Sequence, residues 1–549
     1  MRRFAIFLLS AALMLLAIMP ASAQDGTIVD VAAGNEDFST LVAAVQAANL
    51  VETLSSEGPF TVFAPTDEAF AAALDALGIT AEDLLSNTDL LTQILVYHVV
   101  SGELMAADVV GAIEASGGRA KVPTLMMASE MSAALLDVTV GEAGPVINGN
   151  VNVVATDVEA SNGVIHVIDG VLLPLSVEAQ LLDGPEVVIA PDDPIRLGFG
   201  AALTGEGLSA FGIDINRGVE LALEDRPALA FGEAVFPVEL DVQDDLCNPE
   251  GGQTVANRFV ADNSIVAVIG PMCSSGASAA APIFDAAGYS NVSASATAGS
   301  LTKSGFTSFN RTVPTDDSQG LAAADIMYNV LGARNVAFID DGSTYGAGLV
   351  DVVSATFEAL GGTVAIRDAV TVGEVDFRAL LEDVAAAEPD LIYFAGFNAE
   401  AARLVEQRLD VGLEDVPFMG ADGIFGPELV DLAGDASEGV YATRPIPASS
   451  EELDTFAQRY VDTYGEEPPS AFNTNAYDAT NLILNAIQEV GYLDADGNLV
   501  IDREALSKAI RRAAFAGLTG SINCSLDGEC SSAEIGFYQV QDGAYTQID

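Results

Sequence analysis

From Ile195 to Gly412 one pattern of apolar and polar positions recurs. A short run rich in Val, Ile and Phe comes first, and a longer stretch follows with apolar residues three and four positions apart. The runs "IRLGFGAAL" (195–203), "VFPVELDVQDDLC" (235–247), "SIVAVIG" (264–270), "NVAFIDD" (335–341), "TVAIRDAVT" (363–371) and "LIYFAG" (391–396) read as strands. The stretches 212–227, 251–262, 274–288, 345–362, 377–389 and 399–412 read as helices. Continuously apolar strands alternating with crossover helices predict parallel sheets covered by helices on both faces. There are too many units for one small sheet, and two α/β lobes over residues 194–549 accommodate them.

Residues 24–175 carry a different pattern. "FTVFAPTDEAF" (60–70) is a strand ending at Pro65, then a helix start that Thr66 can cap, with Asp67 and Glu68 in the turn where the helix dipole favours acids. "LVYHVV" (95–100) sets Tyr97 and His98 among apolar neighbours. "NGVIHVIDGVLLP" (162–174) alternates, with Ile165, Val167 and Val171 as core positions. This predicts a mixed α/β domain without a catalytic constellation, in which a histidine between apolar neighbours is structural rather than a base. Between the halves, residues 176–193 hold two prolines and a cluster of acids and read as a linker.

Composition narrows the function. The chain has 549 residues, 80 acidic against 21 basic, and a formal net charge of −59; its lysines are Lys121, Lys303 and Lys508. Such a surface repels nucleic acid and anionic lipid, and it suits either plain solubility or a saline milieu. Residues 1–23 place two arginines before an apolar run, Pro20 and Ala21-Ser22-Ala23, the pattern of a secretory signal peptide. The expected location is therefore the periplasm, the cell surface or the medium. Four cysteines, Cys247, Cys273, Cys524 and Cys530, allow three pairings, and neighbour pairing is the expectation in an exported chain. No metal site is expected, because His98 and His166 lie far along the chain from the cysteines. The acids of "DADGNLVIDRE" (494–504) miss the spacing of a calcium loop and read as a surface turn before a helix.

The candidate chemistry falls at strand ends, where open parallel sheets bind ligands. In "GPMCSSGASAAAP" (270–282) a strand turns into a helix at Ser274 and Ser275. Free amides, the positive end of the helix and neutral hydroxyls suit a small carboxylate, and small residues would let it approach the backbone. The plainer reading is an N-cap with tight helix packing. Further clusters follow other strands: Ser295, Ala296 and Thr297; Tyr345; Phe397; and Asp422. Together they suit a zwitterion, its carboxylate at Ser274, Thr297 and backbone amides, its ammonium at Asp422 and a carbonyl near Ser295.

Two resemblances add to this reading. "FTVFAPTDEAF", Tyr97-His98 and "GVIHVIDGVLLP" resemble a fasciclin (FAS1) domain, which implies a β-sandwich wedge with helices, an adhesive or matrix-binding role and no enzyme activity. Tyr97-His98 is an adhesion motif in that family; here it is expected to be structural. "GPMCSSGASAAAP", "VSASATAGSLT", "FNRTVPTDDSQG", "STYGAGL", "PDLIYFAGFNAEAARL", "FMGADGIFGPELV" and "GDASEGVYAT" are similar to type I periplasmic binding proteins of branched-chain amino-acid ABC transporters. That resemblance implies a monomeric two-lobed receptor that closes on an amino acid and docks on a membrane permease, without a cofactor. Ser274, Ser295, Thr297, Tyr345 and Asp422 fall on its ligand-contact positions, and Cys247 with Cys273 on its lobe disulfide. Phe397 and Phe211 stand where relatives carry tyrosines, and Asp422 where they carry glutamate, which leaves the ligand's side chain unassigned. Asp316 falls at the lobe crossover and is expected as hinge. The expected function is solute capture for an ABC importer, with FAS1 for adhesion or positioning. The alternative is an adhesive or sensory surface protein that detects a small amide or amino acid without transport. An enzyme is the weakest reading, since no nucleophile–base pair is visible.

Overall fold

A computed structural model describes residues 26–548, apart from 117, 130, 131, 142, 143, 182, 183, 532 and 533. The expected signal peptide lies outside the described residues. The first unit takes in residues up to 126 and 136–172; the second takes in 127–135 and everything from 173 onward.

The first unit is a seven-stranded sheet with helices. Phe60–Pro65 lies second from its edge, antiparallel to the edge strand Val99–Ser101 and parallel to Gly163–Ile168. Thr66 caps the next helix, its hydroxyl accepting from the Ala69 amide at 3.2 Å. Tyr97 and His98 are both buried. The Leu172 amide donates to His98 Nε2 at 2.9 Å, so the proton sits on Nδ1 and is donated to the Ile94 carbonyl at 2.8 Å. The ring thus ties the end of a helix to the closing segment of the domain. Tyr97 Oη accepts from Asn148 Nδ2 at 3.1 Å.

The second unit has two lobes. The first lobe holds a six-stranded sheet ordered Ala228–Phe231, Ala234–Asp244, Ile195–Ala201, Ile265–Ile269, Asn291–Ser293, Phe309–Arg311. The second holds Thr363–Ala369, Asn335–Asp340, Leu391–Ala395, Phe418–Gly420 and Tyr441–Ile446 in parallel, extended by the antiparallel strands Glu534–Gln541 and Ala544–Gln547. Ile265–Ile269 and Leu391–Ala395 are buried along their whole length, as strands covered on both faces must be. The chain crosses between lobes after Arg311 and after Ile446, and Cys530 and Glu534 lie in different lobes.

Residues 176–193, expected as a linker, instead build the first lobe. The helix Leu175–Leu181 buries Leu175 and Ala179 in its core. The strand Glu186–Ile189 pairs with Leu499–Asp502 and turns Val187 and Ile189 into the same core. The prolines and acids mark the ends of these short elements, not a free segment. Residues 494–498 form a surface turn in which Asp494 Oδ1 accepts from the amides of Asp496 and Asn498, both at 2.9 Å, ahead of the helix Arg503–Arg512. Cys247 pairs with Cys273 and Cys524 with Cys530.

Burial pushes the His98 pKa down to about 4. The unfolded ring binds a proton near pH 6.5 and the folded ring resists until about pH 4, so this site's stability is present above pH 6.5 and is lost as pH falls towards 4. The full loss is roughly 3 kcal/mol. Amide protection across 91–100 in the full chain, with the intrinsic slowing of exchange divided out, should fall between pH 6.5 and 4, and His98→Gln should flatten that dependence.

Candidate ligand-binding site

Several parallel strands of the two sheets end at the cleft between the lobes, and the turns there build a small cavity of about 30 Å3. The first lobe contributes Phe211, Met272, Cys273, Ser274, Ser295, Thr297 and Phe472; the second contributes Tyr345, Phe397, Asp422 and Gly423.

One pole is made of hydroxyls and amides. The helix Ser274–Ala286 starts without a side-chain cap, so its first amides lack intrahelical acceptors. Ser274 Oγ accepts from the Ala298 amide at 3.1 Å, and its own proton meets no acceptor among the described residues. Thr297 Oγ1 is buried near the Asp316 carboxyl and makes no hydrogen bond of normal geometry among the described residues. Ser295 Oγ donates to the Met272 carbonyl at 2.9 Å. Beneath this turn lies Asp245, fully buried, accepting from the amides of Met272 (2.8 Å) and Cys247 (2.9 Å). Burial raises its pKa to about 6.

The other pole is acidic. Asp422 follows the strand Phe418–Gly420, and Tyr345 opens the helix Thr344–Ala359. Tyr345 Oη donates to Asp422 Oδ1 at 2.9 Å and accepts from the Gly423 amide at 3.2 Å. Burial holds the Asp422 carboxyl above the usual carboxylate range, and no ion pair reaches it among the described residues. Asp316 is also buried, and among the described residues neither carboxylate oxygen makes a hydrogen bond of normal geometry; burial and the nearby Asp422 charge push it well above that range, against the Thr297 hydroxyl close by. Its amide donates to the Thr297 carbonyl at 2.9 Å, at the start of the helix that follows the first crossing.

Between the poles runs a wall of hydrocarbon. Phe211 meets Phe397 edge to face at 6.2 Å and Phe472 at 6.2 Å, and Phe397 lies 5.6 Å from Tyr345. Phe472 carried no signal in a strand-end search, because it precedes a helix. Asp214 holds its segment: the carboxylate accepts from Tyr460 Oη, Ser470 Oγ and the amides of Phe472 and Asn473.

Ser275 and Ala296, expected at the ligand, do not line the cavity. Ser275 Oγ accepts from the Thr344 amide of the other lobe at 3.0 Å. Ala296 is fully buried, its amide bonded to Ser293 Oγ and its carbonyl to Arg311. The small residues of "GPMCSSGASAAAP" have a packing role too. A Cβ on Gly252 would lie 2.3 Å from the Gly276 carbonyl oxygen, so two helices touch backbone to backbone there.

With this geometry, comparison with known proteins is decisive. A family model described as periplasmic binding protein matches residues 194–544. The chain belongs to that family. A second model, fasciclin domain, matches residues 36–174. The periplasmic-binding-protein region is similar to a leucine-, isoleucine-, valine-, threonine- and alanine-binding protein of Pseudomonas aeruginosa, 29% identical over 360 residues, 65% of this chain and 92% of the relative. A Leu/Ile/Val-binding protein homolog 2 of Brucella abortus is 32% identical over 301 residues, 55% of this chain and 80% of that one. Among solved structures, a leucine-binding protein from Thermotoga maritima superposes with a TM-score of 0.59 at 29% identity, covering 65% of this chain and 98% of that one. The first unit is thus a fasciclin domain, and the second has the type I binding-protein fold.

Gly423 is the tightest point of the acidic pole: a Cβ there would lie 2.3 Å from the Gly396 carbonyl oxygen and 3.1 Å from the Tyr345 ring. Gly423→Ala should shift Asp422 off Tyr345 and destabilise the second lobe by about 1–3 kcal/mol, read as a lowered midpoint in urea unfolding. An unchanged midpoint would mean the pole is loosely built.

Proposed function

We propose that the second unit captures a free α-amino acid with an apolar side chain and delivers it to the permease of an ABC importer. The observation that carries this reading is Asp422: a buried carboxylate that receives a tyrosine hydroxyl but no cation. A buried charge needs a partner, and a ligand ammonium supplies one. Across the cavity, Ser274, Thr297 and the first-turn amides offer donors to the ligand carboxylate. Phe211, Phe397, Phe472 and Met272 accept a hydrocarbon side chain and offer a charged one no partner. The relatives named for branched-chain amino acids support the same ligand class.

In this reading the lobes close over the ligand, and the closed form docks on the membrane partner. The protein acts as an exported monomer, and the fasciclin domain holds it at a surface or matrix partner. No helix among the described residues is long and apolar enough to cross a membrane.

Asp422→Asn should weaken L-leucine about a hundredfold in calorimetry, whereas equal affinity would remove the ammonium partner. The pH dependence follows from the raised Asp422 carboxyl. The ligand's cation favours its ionised form, so affinity should rise with pH through and above the ordinary carboxylate range, where the ligand amine stays protonated. That slope should vanish in Asp422→Asn.

Ser274→Ala combined with Thr297→Val should weaken L-leucine about tenfold to a hundredfold and leucinamide much less. Equal losses for both would place the carboxylate elsewhere.

A further inference from the structure

The lobes also meet outside the cavity, at its rim. The loop between Ile195–Ala201 and the helix Ser209–Asp225 belongs to the first lobe. Asp244 ties down its start, accepting from the Leu203 amide at 3.1 Å and Thr204 Oγ1 at 2.5 Å. Its two glycines take left-handed backbone, Gly205 at φ 109° and Gly207 at φ 76°, a conformation that favours glycine. This turn aims the Gly207 amide at the second lobe, where Glu428 Oε1 accepts it at 3.0 Å. Glu428 Oε2 accepts from Asn398 Nδ2 at 3.4 Å. The approach is close: a Cβ on Gly207 would lie 2.9 Å from the Ala399 amide nitrogen. Phe397 and Phe211 of the hydrocarbon wall stand next to the two sides of this contact, yet neither Gly207 nor Glu428 lines the cavity.

We propose that Glu428 is a positioning residue that latches the closed lobes through the Gly207 amide and so sets how long a ligand stays, without touching it. The proposal rests on reading the cavity as an amino-acid site. The bond joins groups on separate lobes, so opening breaks it. An interaction made only in the closed form slows release and leaves encounter nearly unchanged. The carboxylate makes a charge-assisted bond, stronger than a neutral pair. It is half-buried, and Glu206 and Asp431 set like charges near it. Opening rehydrates it, and that opposing term keeps the latch reversible.

The test uses the full chain with L-leucine as probe. Stopped-flow mixing gives the association and dissociation rates of the native protein, Glu428→Ala and Glu428→Gln. A pair of spin labels, placed through Gln253→Cys on the first lobe and Glu382→Cys on the second, reports the lobe separation without ligand. Glu428→Ala should raise the dissociation rate about tenfold or more, leave association within about twofold, and move the ligand-free distances towards the open form. Glu428→Gln keeps an oxygen acceptor and the same shape, so its effect should be smaller, and it serves should the alanine variant fail to fold. An unchanged dissociation rate and distance distribution would overturn the latch, as would equal slowing of both rates. If the native protein ignores L-leucine, the amino-acid reading falls, and the ligand-free distances alone decide the latch.

Discussion

Arg311 anchors the cleft. Its side chain has no exposed surface. One nitrogen donates to the carbonyls of Ala296 and Ala298, at 3.0 and 2.9 Å, inside the loop that presents Thr297. The others fork onto the Glu529 carboxylate at 2.9 and 2.6 Å. Glu529 sits in the hairpin closed by Cys524 and Cys530, and the backbone of Arg311 bonds to Gly528 and Cys530 on either side of it. A buried guanidinium is tolerated only while every donor finds an acceptor. The hydroxyl loop, the first crossing between lobes and the hairpin before the last crossing are therefore fixed to one another.

The two poles differ in how they are held. The hydroxyl pole is pinned within the first lobe by Arg311 from one side and by Asp245 from the other. The acidic pole rides on the second lobe, where Tyr345 and the Gly423 amide form a short relay at Asp422. A lysine or arginine beside Asp422 would satisfy the carboxylate permanently and leave the proposed ligand ammonium without its partner. Instead, among the described residues, Asp316 and Asp422 lie buried close together with no ion pair to either, a stress that the proposed ligand ammonium would relieve.

The strands 264–270 and 391–396 could be read from sequence because burial on both faces leaves an uninterrupted apolar run, which few other structures produce. Ser274, Thr297, Tyr345 and Asp422 followed from the same logic, since the carboxyl ends of parallel strands must converge. Phe472 did not, because its place depends on Asp214, in the second turn of the helix Ser209–Asp225 and 258 residues earlier in the chain. Ser275 and Ala296 sit one residue from cavity residues, and adjacent positions in a turn face different ways. The bond between Gly207 and Glu428 joins positions far apart in the chain, and no local pattern marks it. The segment 176–193 was misread because two short elements bounded by prolines resemble a free tether until Val187 and Ile189 are seen to point inward.

That segment has a practical corollary for dissecting the molecule. The strand Glu186–Ile189 completes a small sheet with Tyr492–Leu493 and Leu499–Asp502, and the Arg503 amide bonds to the Pro185 carbonyl at 3.0 Å. A truncation beginning at Pro194 would strip an edge from that sheet and bare the aliphatic patch that Leu175 and Ala179 cover. A cut intended to liberate the receptor half belongs ahead of Leu173, where the fasciclin domain ends and the receptor's own scaffolding begins.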